Sequence, residues 1–379
     1  MSPNNYDVIV IGVGSMGSAT CYELAARGHR VLGLEQFNIP HEQGSHTGQT
    51  RIIRKAYFEH PDYVPLLERA YHKWKQLEEQ TGEQVYHQTG IVYHGPSEHA
   101  VIKGVKEAAK IHSIELNERK YSQFDLPAGF ETIFEPLAGF LQPEKAILLY
   151  KEEAIKKGAA IHANETVVEW KRENNIFKVV TEKDTYYADK LVLTAGAWMQ
   201  KLVKQLTAPL RVTRQLVVWV KPVNKNDFLP ENFPCWLIAD NKRSGALYGF
   251  PYLSKEKFGE PEGMKFAWHF AAEETEPDHV NRSVSEKEVS DLMNWVGEYI
   301  PAVNSAGICA AKTCLYTNTA DENFIIHHLP GYDKNITIAC GFSGHGFKFV
   351  SVVGEILADL AMKGKTGLPI EFLSLKRFH

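Results

Sequence analysis

The chain has no long apolar run. Its longest, near Val8–Val13 and Leu191–Trp198, fall far short of the roughly 18 residues a membrane span requires, so no membrane partner is expected. The N-terminus lacks a basic segment followed by an apolar stretch, which argues against a secretory signal. The last residues, Lys376-Arg377-Phe378-His379, are not a peroxisomal address. Cysteine is scarce: Cys21, Cys235, Cys309, Cys314 and Cys340 are odd in number, scattered and without paired metal spacing. That excludes a disulfide scaffold and points to reduced thiols, a cytoplasmic setting and no bound metal. Nor does charge of one sign dominate. Lys and Arg number 42 and Asp and Glu 46, a net charge of −4, without the basic footprint of a nucleic-acid binder. Internal repeats, low-complexity tracts and long Pro/Gly/Ser linkers are missing as well.

What is present is ordinary globular material. The 379 residues, 44% hydrophobic and 23% charged, suffice for two domains with a buried core. The first 35 residues read as β-α-β: a strand at Asp7–Ile11, a helix at Met16–Arg27 ended by Gly28, and a strand at Arg30–Leu34. Between the first strand and the helix stands Gly12-Val13-Gly14-Ser15-Met16-Gly17. Its first two glycines permit a tight turn and close approach of the backbone to a pyrophosphate. The third lets helix and strand pack closely, and the helix N-terminus supplies positive potential. Glu35 ends the second strand, where a carboxylate accepts ribose hydroxyls and repels a 2′-phosphate. The motif predicts a dinucleotide; by itself it does not choose between NAD and FAD.

Further helices are predicted over Asp62–Glu79, Pro143–Lys157 and Ser285–Tyr299, and strands over Glu165–Trp170, Phe177–Thr181, Thr185–Ala188, Lys190–Thr194, Leu210–Val223 and Asn335–Cys340. The run Leu191–Trp198 ends a buried strand in small residues at a helix start, which reads equally as a cofactor contact or a plain turn. Gly341-Phe342-Ser343-Gly344-His345-Gly346-Phe347-Lys348 again follows a strand and opens a helix, to about Met362. Its three glycines and helix start make an anion-friendly nest. Two such helix starts, far apart in the chain, suit FAD, whose pyrophosphate and ring lie at opposite ends of one extended ligand. The expected fold class is α/β with an α+β second domain. A Rossmann-type FAD-binding domain comprises 1–85, 146–220 and 317–379, and an inserted antiparallel-sheet substrate domain comprises 86–145 and 221–316.

Four segments, Val8–Gly17, Gly44–Arg54 with its Thr-Arg-Ile-Ile-Arg, Lys312–Thr317 and Gly341–Lys348, together resemble the monomeric sarcosine oxidases and N-methyl-tryptophan oxidases of the glycine oxidase/D-amino-acid oxidase group, essentially end to end. The resemblance implies FAD bound by Gly12, Gly14, Ser15, Met16, Gly17, Glu35, Arg51, Val168, Ala195, Gly196, Trp198, Gly344, Gly346 and Lys348, and carried covalently by Cys314 as an 8α-thioether. On its own Cys314 reads as a small buried hydrophobe. The resemblance also implies that Lys265 faces the flavin and serves oxygen activation. The alternation in Lys265–Phe270 puts Lys265 and His269 on one strand face and Phe266, Trp268 and Phe270 on the other; without the family it reads as an edge lysine in solvent. By the same resemblance Arg51 lies over the flavin, Arg54 and Lys348 bind the substrate carboxylate, and Tyr248 and Tyr316 stand near the substrate. Arg51 and Arg54, three apart, would share one face if that stretch were helical.

Some positions depart from the family. Thr47 and Gln49 stand where histidine and aspartate are common, with His46 retained beside them. His327 replaces an expected aspartate, and the charged stretch Lys255 to Glu262 is longer than expected and is placed at the substrate entrance. The implied function is oxidation of an N-methyl or other secondary amino acid such as sarcosine to an aldehyde, a primary amino acid and hydrogen peroxide, with molecular oxygen as acceptor, in a cytoplasmic monomer. N-methyl-tryptophan, pipecolate or proline-like, and sugar-linked amino acids remain open as substrates. So do an NAD-dependent dehydrogenase and a non-enzymatic nucleotide-binding module.

Overall fold

The strand Asn5–Ile11 carries four consecutive buried residues, Val8 to Ile11, the pattern of a parallel strand covered on both faces. In the computed structural model, which describes residues 4–269 and 272–378, it lies inside an eight-stranded sheet. The order is Ile325–His328, Ile336–Cys340, Thr185–Leu193, Asn5–Ile11, Val31–Leu34, Ala160–His162, and Ile176–Thr181 and Val167–Glu173 extend the sheet from Thr185–Leu193. The core pairs of this sheet run parallel. The two strands expected at 185–188 and 190–194 are one: its first half, 185–188, pairs with Ile176–Thr181, while 187–193 runs beside Asn5–Ile11. Helix Ser15–Ala26 packs against Pro143–Lys156 and Val350–Lys363. It ends as expected at Gly28, whose φ of 84° and N–H to the Ala25 carbonyl close the last turn. Asp62 falls in a single 3₁₀ turn, Pro61–Tyr63, ahead of helix Val64–Thr81.

A second sheet has seven strands, in the order Gly307–Asn318, Arg211–Lys221, Gly263–His269, Ala246–Leu253, Cys235–Ile238, Ile91–Pro96, Phe130–Glu135. Arg211–Lys221 pairs along its whole length with Gly307–Asn318, so residues 211–220 belong to this sheet and not, as the expected boundary at 220 had it, to the nucleotide side. Helix Glu286–Gly297 starts in a capping box between Ser285 and Glu288 and covers one face through Val289, Leu292 and Val296, with Phe266 and Trp236 among the residues beneath. The opposite face matters for function. Register places Trp219 across from Lys265, Val217 and Tyr248 across from Ala267, Gln215 across from Cys314 and Thr213 across from Tyr316. These residues therefore share one face, with His269 two steps beyond Ala267. Phe270 lies outside the described residues.

A three-stranded sheet bridges the two: Arg51–Ile53, Gly139–Leu141 and Tyr86–His87. The helix considered for Arg51–Arg54 does not form, because the backbone of Arg51–Ile53 is taken up in antiparallel pairing with Gly139–Leu141. Strand geometry separates the two arginines that a helix would have aligned.

Helices Ser15–Ala26 and Val350–Lys363 meet near their starts, where a Cβ on Gly354 would stand 2.7 Å from the Ala19 carbonyl carbon. This contact holds the two predicted anion-binding helix starts side by side. Gly354→Ala should therefore lower the stability of flavin-free protein by about 1–3 kcal/mol, the usual cost of overpacking. Urea denaturation reads it, and an unchanged midpoint would mean that the helices are not in such close contact.

Candidate active site

The fingerprint loop is built as its chemistry requires. Gly12 adopts a φ of 92°, and a Cβ there would meet the Thr194 carbonyl. A Cβ on Gly17 would collide with the Gly12 carbonyl, so the third glycine serves helix–strand packing. Gly14 is different: a Cβ on it would meet little but the His46 ring, at 3.9 Å, and it opens the helix with no side-chain cap. The free N–H groups of that first turn face a cavity of about 1020 Å³. Glu35 lines this cavity and also shapes the loop, accepting the Val13 N–H at 2.9 Å and the Phe37 N–H at 3.1 Å. Burial outweighs those bonds and pushes its carboxyl up to about 7.

The cavity runs from Gly12, Gly14, Ser15, Met16 and Glu35, past Val168, Ala195, Gly196 and Trp198, to Arg51, Tyr316, Gly344 and Gly346. Sequence motifs scattered over the chain thus converge on one groove. Gly17, Cys314 and Lys348 do not line it. At its far end Gly341, Ser343 and Gly344 all have positive φ, and the Gly344 backbone lies flat against the Tyr316 ring, where a Cβ would clash. Thr317 Oγ1, also at this end, is buried without a partner. No group of metal-ligating side chains occurs among the described residues, and none of their helices is long and apolar enough to cross a membrane.

Beside that end, four cations are inserted. Arg51 donates to the carbonyls of Ser45, Thr47 and Thr50, each at 2.7 Å; Thr47, in place of the family's histidine, contributes through its backbone. Lys265 is 1% exposed, and its Nζ donates to the Gly48 carbonyl at 2.5 Å, the Thr50 carbonyl at 2.9 Å and Thr50 Oγ1 at 3.1 Å. The solvent-exposed reading of this lysine is excluded: the strand is internal to the sheet. Burial, then Arg51, pushes its pKa well down. Cys314 is buried on the same sheet face; burial raises its thiol pKa while Arg51, Lys265 and Arg282 act against the rise. Cys309 sits in the bulge opposite Trp219 and Val220, exposed to solvent.

Arg54 and Lys348 belong to a separate buried cluster. Arg54 Nη2 donates to both Glu59 carboxylate oxygens, at 2.6 and 2.7 Å, Nη1 donates to the Ala56 carbonyl at 3.1 Å, and the guanidinium lies over the Tyr57 and Phe58 rings. Burial would raise the Glu59 carboxyl, but Arg54, His345 and Lys348 outweigh it and hold it at about 2. Lys348 Nζ donates to the His345 carbonyl at 2.7 Å. Burial, and then Arg54, lowers its pKa to about 7. His345 bonds through Nδ1 to the Tyr57 hydroxyl and through Nε2 to the Glu322 carbonyl. His269 Nδ1 lies 3.2 Å from the Tyr316 hydroxyl, and Tyr316 in turn bonds Tyr248. Burial pushes His269 to about 4 and His345 to about 3, so both rings are neutral at physiological pH.

The chain as a whole is similar to known proteins. The FAD dependent oxidoreductase family matches residues 7–360. The monomeric sarcosine oxidase of Streptomyces avermitilis is 37% identical over all of this chain and 98% of the relative. The N-methyl-L-tryptophan oxidase of Salmonella dublin is 32% identical over 98% of this chain and 99% of the relative. This chain belongs to the FAD-dependent oxidoreductase family. Within the family it stands with the monomeric sarcosine oxidases and N-methyl-tryptophan oxidases. The fold agrees: NikD, an amino acid oxidase of nikkomycin biosynthesis, superposes with a TM-score of 0.85 at 24% identity, covering 98% of this chain and 97% of its own. The L-proline dehydrogenase of P. horikoshii does so with a TM-score of 0.85 at 23% identity, covering 99% and 98%.

An FAD-dependent oxidoreductase needs a long groove with an anion site at one end and room for a flat ring at the other. The open cradle at Gly14, the uncapped helix start, the flat Gly344 backbone and the orphan Thr317 hydroxyl all fit that need. Other participants could not be read from the motifs. Glu59, Tyr57 and His345 complete the Arg54–Lys348 pocket, and the one available signal was a lone acid five residues after Arg54. None of residues 255–262 lines the cavity, and Phe258 packs on His87 and Phe140 of the small sheet. His327 sits on the outer strand Ile325–His328, away from the groove, with Nδ1 buried and unpartnered.

Proposed function

We propose that the protein oxidises a secondary amino acid, with sarcosine or a close N-methyl relative as the first choice, and that molecular oxygen takes up the electrons as hydrogen peroxide. The observation that carries this reading is a buried lysine without a carboxylate partner. Arg54 is paired with Glu59, and the buried Glu135 carboxyl also acts on Arg54, while Lys348 has no carboxylate paired to it among the described residues and both neighbouring histidines are neutral. A buried cation without a paired carboxylate is costly. A substrate carboxylate supplies the missing negative charge. Arginine suits the task by its planar fork, and lysine adds a point charge. The substrates named for the related oxidases, sarcosine and N-methyl-L-tryptophan, both carry that carboxylate.

Held there, the substrate lies beside His269, Tyr316 and Tyr248, on the sheet face that also carries Cys314. His269, neutral, takes a hydrogen bond with the amine without adding charge. The surrounding cations disfavour an ammonium, so the amine is held in its neutral, reactive form. Bound FAD supplies the two-electron chemistry. The ammonium of Lys265, fixed beneath Gly48, offers a positive charge where oxygen takes on negative charge. Cys314 carries the flavin covalently; burial raises its thiol pKa, and Arg51, Lys265 and Arg282 offset part of that rise. The relatives named as monomeric sarcosine oxidases support a monomer.

A peroxide assay across N-methyl, cyclic and sugar-linked amino acids tests the reading, with methyl esters as controls. Turnover of free acids and little of their esters is expected; equal turnover of both would remove the carboxylate pocket from recognition. The pH dependence is distinctive. With its pKa lowered to about 7, Lys348 is an ammonium below that pH and loses its charge above it. The Kd of a simple carboxylate without an amine should therefore rise above pH 7, by up to about tenfold per unit for one linked proton. Lys348→Met should bind weakly throughout, with that slope gone. Replacing Cys314 by Ser should give protein whose flavin is released on acid precipitation. Flavin that stays with the precipitate would mean another anchor.

A further inference from the structure

Two departures from the family pattern, Gln49 and the longer charged segment 255–262, are distant in the sequence but meet in the structure. Gln49 has a φ of 67°, a left-handed conformation rare for a side chain other than glycine, asparagine or aspartate. It stands between Gly48 and Thr50, the two residues whose oxygens hold Lys265. Its buried amide is used at both ends. Oε1 accepts the indole N–H of Trp219 at 3.0 Å, while Nε2 donates to the carbonyls of Pro261 at 3.0 Å and Gly259 at 3.2 Å, with that of Phe258 at 3.5 Å. The backbone beside it is pinned as well: the N–H groups of Gly48 and Gln49 both donate to Glu144 Oε1, at 2.7 and 3.1 Å.

The chemistry of the side chain suits both of its partners. A carboxylate at position 49 accepts from Trp219 but has no proton to give, so its second oxygen would face three carbonyl oxygens. An amide satisfies both sides. Trp219 is the residue directly across the sheet from Lys265, with its ring 5.6 Å from the lysine Nζ. Through one amide, then, the segment 258–261 is tied to the ring beside Lys265 and to the backbone turn that presents its acceptors.

We propose that Gln49 is a positioning residue for Lys265, linking the 255–262 segment to the Gly48–Thr50 turn that holds the lysine ammonium in place. The inference rests on the reading that Lys265 acts on oxygen. An ammonium has three donors, and the turn offers it three acceptors, Gly48 O, Thr50 O and Thr50 Oγ1. The charged or titratable groups that act on it are Arg51, Cys314, Glu144 and Cys235. Loosening the turn withdraws acceptors from the cation, while Arg51 and burial remain to favour its neutral form.

Three variants of the flavin-loaded enzyme test this: Gln49→Met, which keeps the volume without either hydrogen bond, Gln49→Glu, which keeps only the acceptor, and Lys265→Met. Trypsin cleavage after Lys255 and Lys257 reads the tether directly, and stopped flow reads anaerobic flavin reduction and reoxidation by oxygen separately. Both Gln49 variants should be cut faster. In Gln49→Met reoxidation should fall by about tenfold, the scale of one lost buried hydrogen bond, with anaerobic reduction within about twofold of the parent. Its loss of oxygen reactivity with rising pH should also begin at lower pH. Lys265→Met should lose about 10²–10³ in reoxidation. Normal reoxidation in Lys265→Met would overturn the role of the lysine itself. A slow Lys265→Met with unchanged cleavage and reoxidation in Gln49→Met would overturn only the positioning role. Faster cleavage with unchanged reoxidation, or equal slowing of both steps, would overturn it too.

Discussion

The site depends on positive charge buried without an equal amount of negative charge. Arg51, Arg54, Lys265 and Lys348 all enter the space between the nucleotide-side sheet and the inner face of the seven-stranded sheet, and only Glu59 is paired directly to one of them. Such an arrangement is expensive in a folded protein. Most of the stabilisation comes from carbonyl oxygens: Ser45, Thr47 and Thr50 for Arg51, Gly48 and Thr50 for Lys265, His345 for Lys348. A carbonyl solvates a cation without cancelling its charge. The field of the cations therefore survives for whatever ligand arrives.

That solution places demands on the backbone. Presenting several carbonyls inward from one short stretch requires residues 45–50 to turn sharply, and Gly48 at a φ of 112° and Gln49 at 67° supply the turn. A turn of this kind is soft unless held from outside. Glu144, at the start of the helix that packs on Ser15–Ala26, holds its N–H groups, and Trp219 and the 258–261 backbone hold the Gln49 side chain. The cation-holding loop is thereby anchored to the helix Pro143–Lys156 and to the seven-stranded sheet. Its geometry is a product of the whole fold.

How much of this was legible in the sequence follows from how local each feature is. The fingerprint was readable because Gly12, Gly14, Gly17 and Glu35 lie within one β-α-β unit, where Gly12 and Gly17 sit at close backbone approaches and Glu35 accepts the Val13 N–H. The shared face of Lys265 and His269 was readable from alternation. Whether that face looked inward was not, since it depends on pairing with Arg211–Lys221 and Ala246–Leu253. The spacing of Arg51 and Arg54 fitted a helix equally well; the partner that makes it a strand, Gly139–Leu141, lies far along the chain. The 255–262 stretch was placed at the entrance for its charge, yet Phe258 and three backbone carbonyls decide where it sits. Glu59 and His345 carried no signal beyond proximity to assigned residues, because their role exists only once Arg54 and Lys348 are brought together.

The same field also decides which groups can handle protons. His269 and His345 lie among cations in a buried site, and both are driven to the neutral form, at about 4 and 3. Neither is an acid at physiological pH, so each acts there as a hydrogen-bonding ring. Tyr316 and Tyr248 are pushed the other way by burial and stay protonated. Lys348 is poised near neutrality, at about 7, so its protonation responds to any negative charge placed beside it. Under the proposed function, a carboxylate bound there would restore the charge on Lys348, and that cation would in turn disfavour a proton on a neighbouring amine. Recognition of the carboxylate and activation of the nitrogen would then be two consequences of one electrostatic arrangement, without a dedicated base.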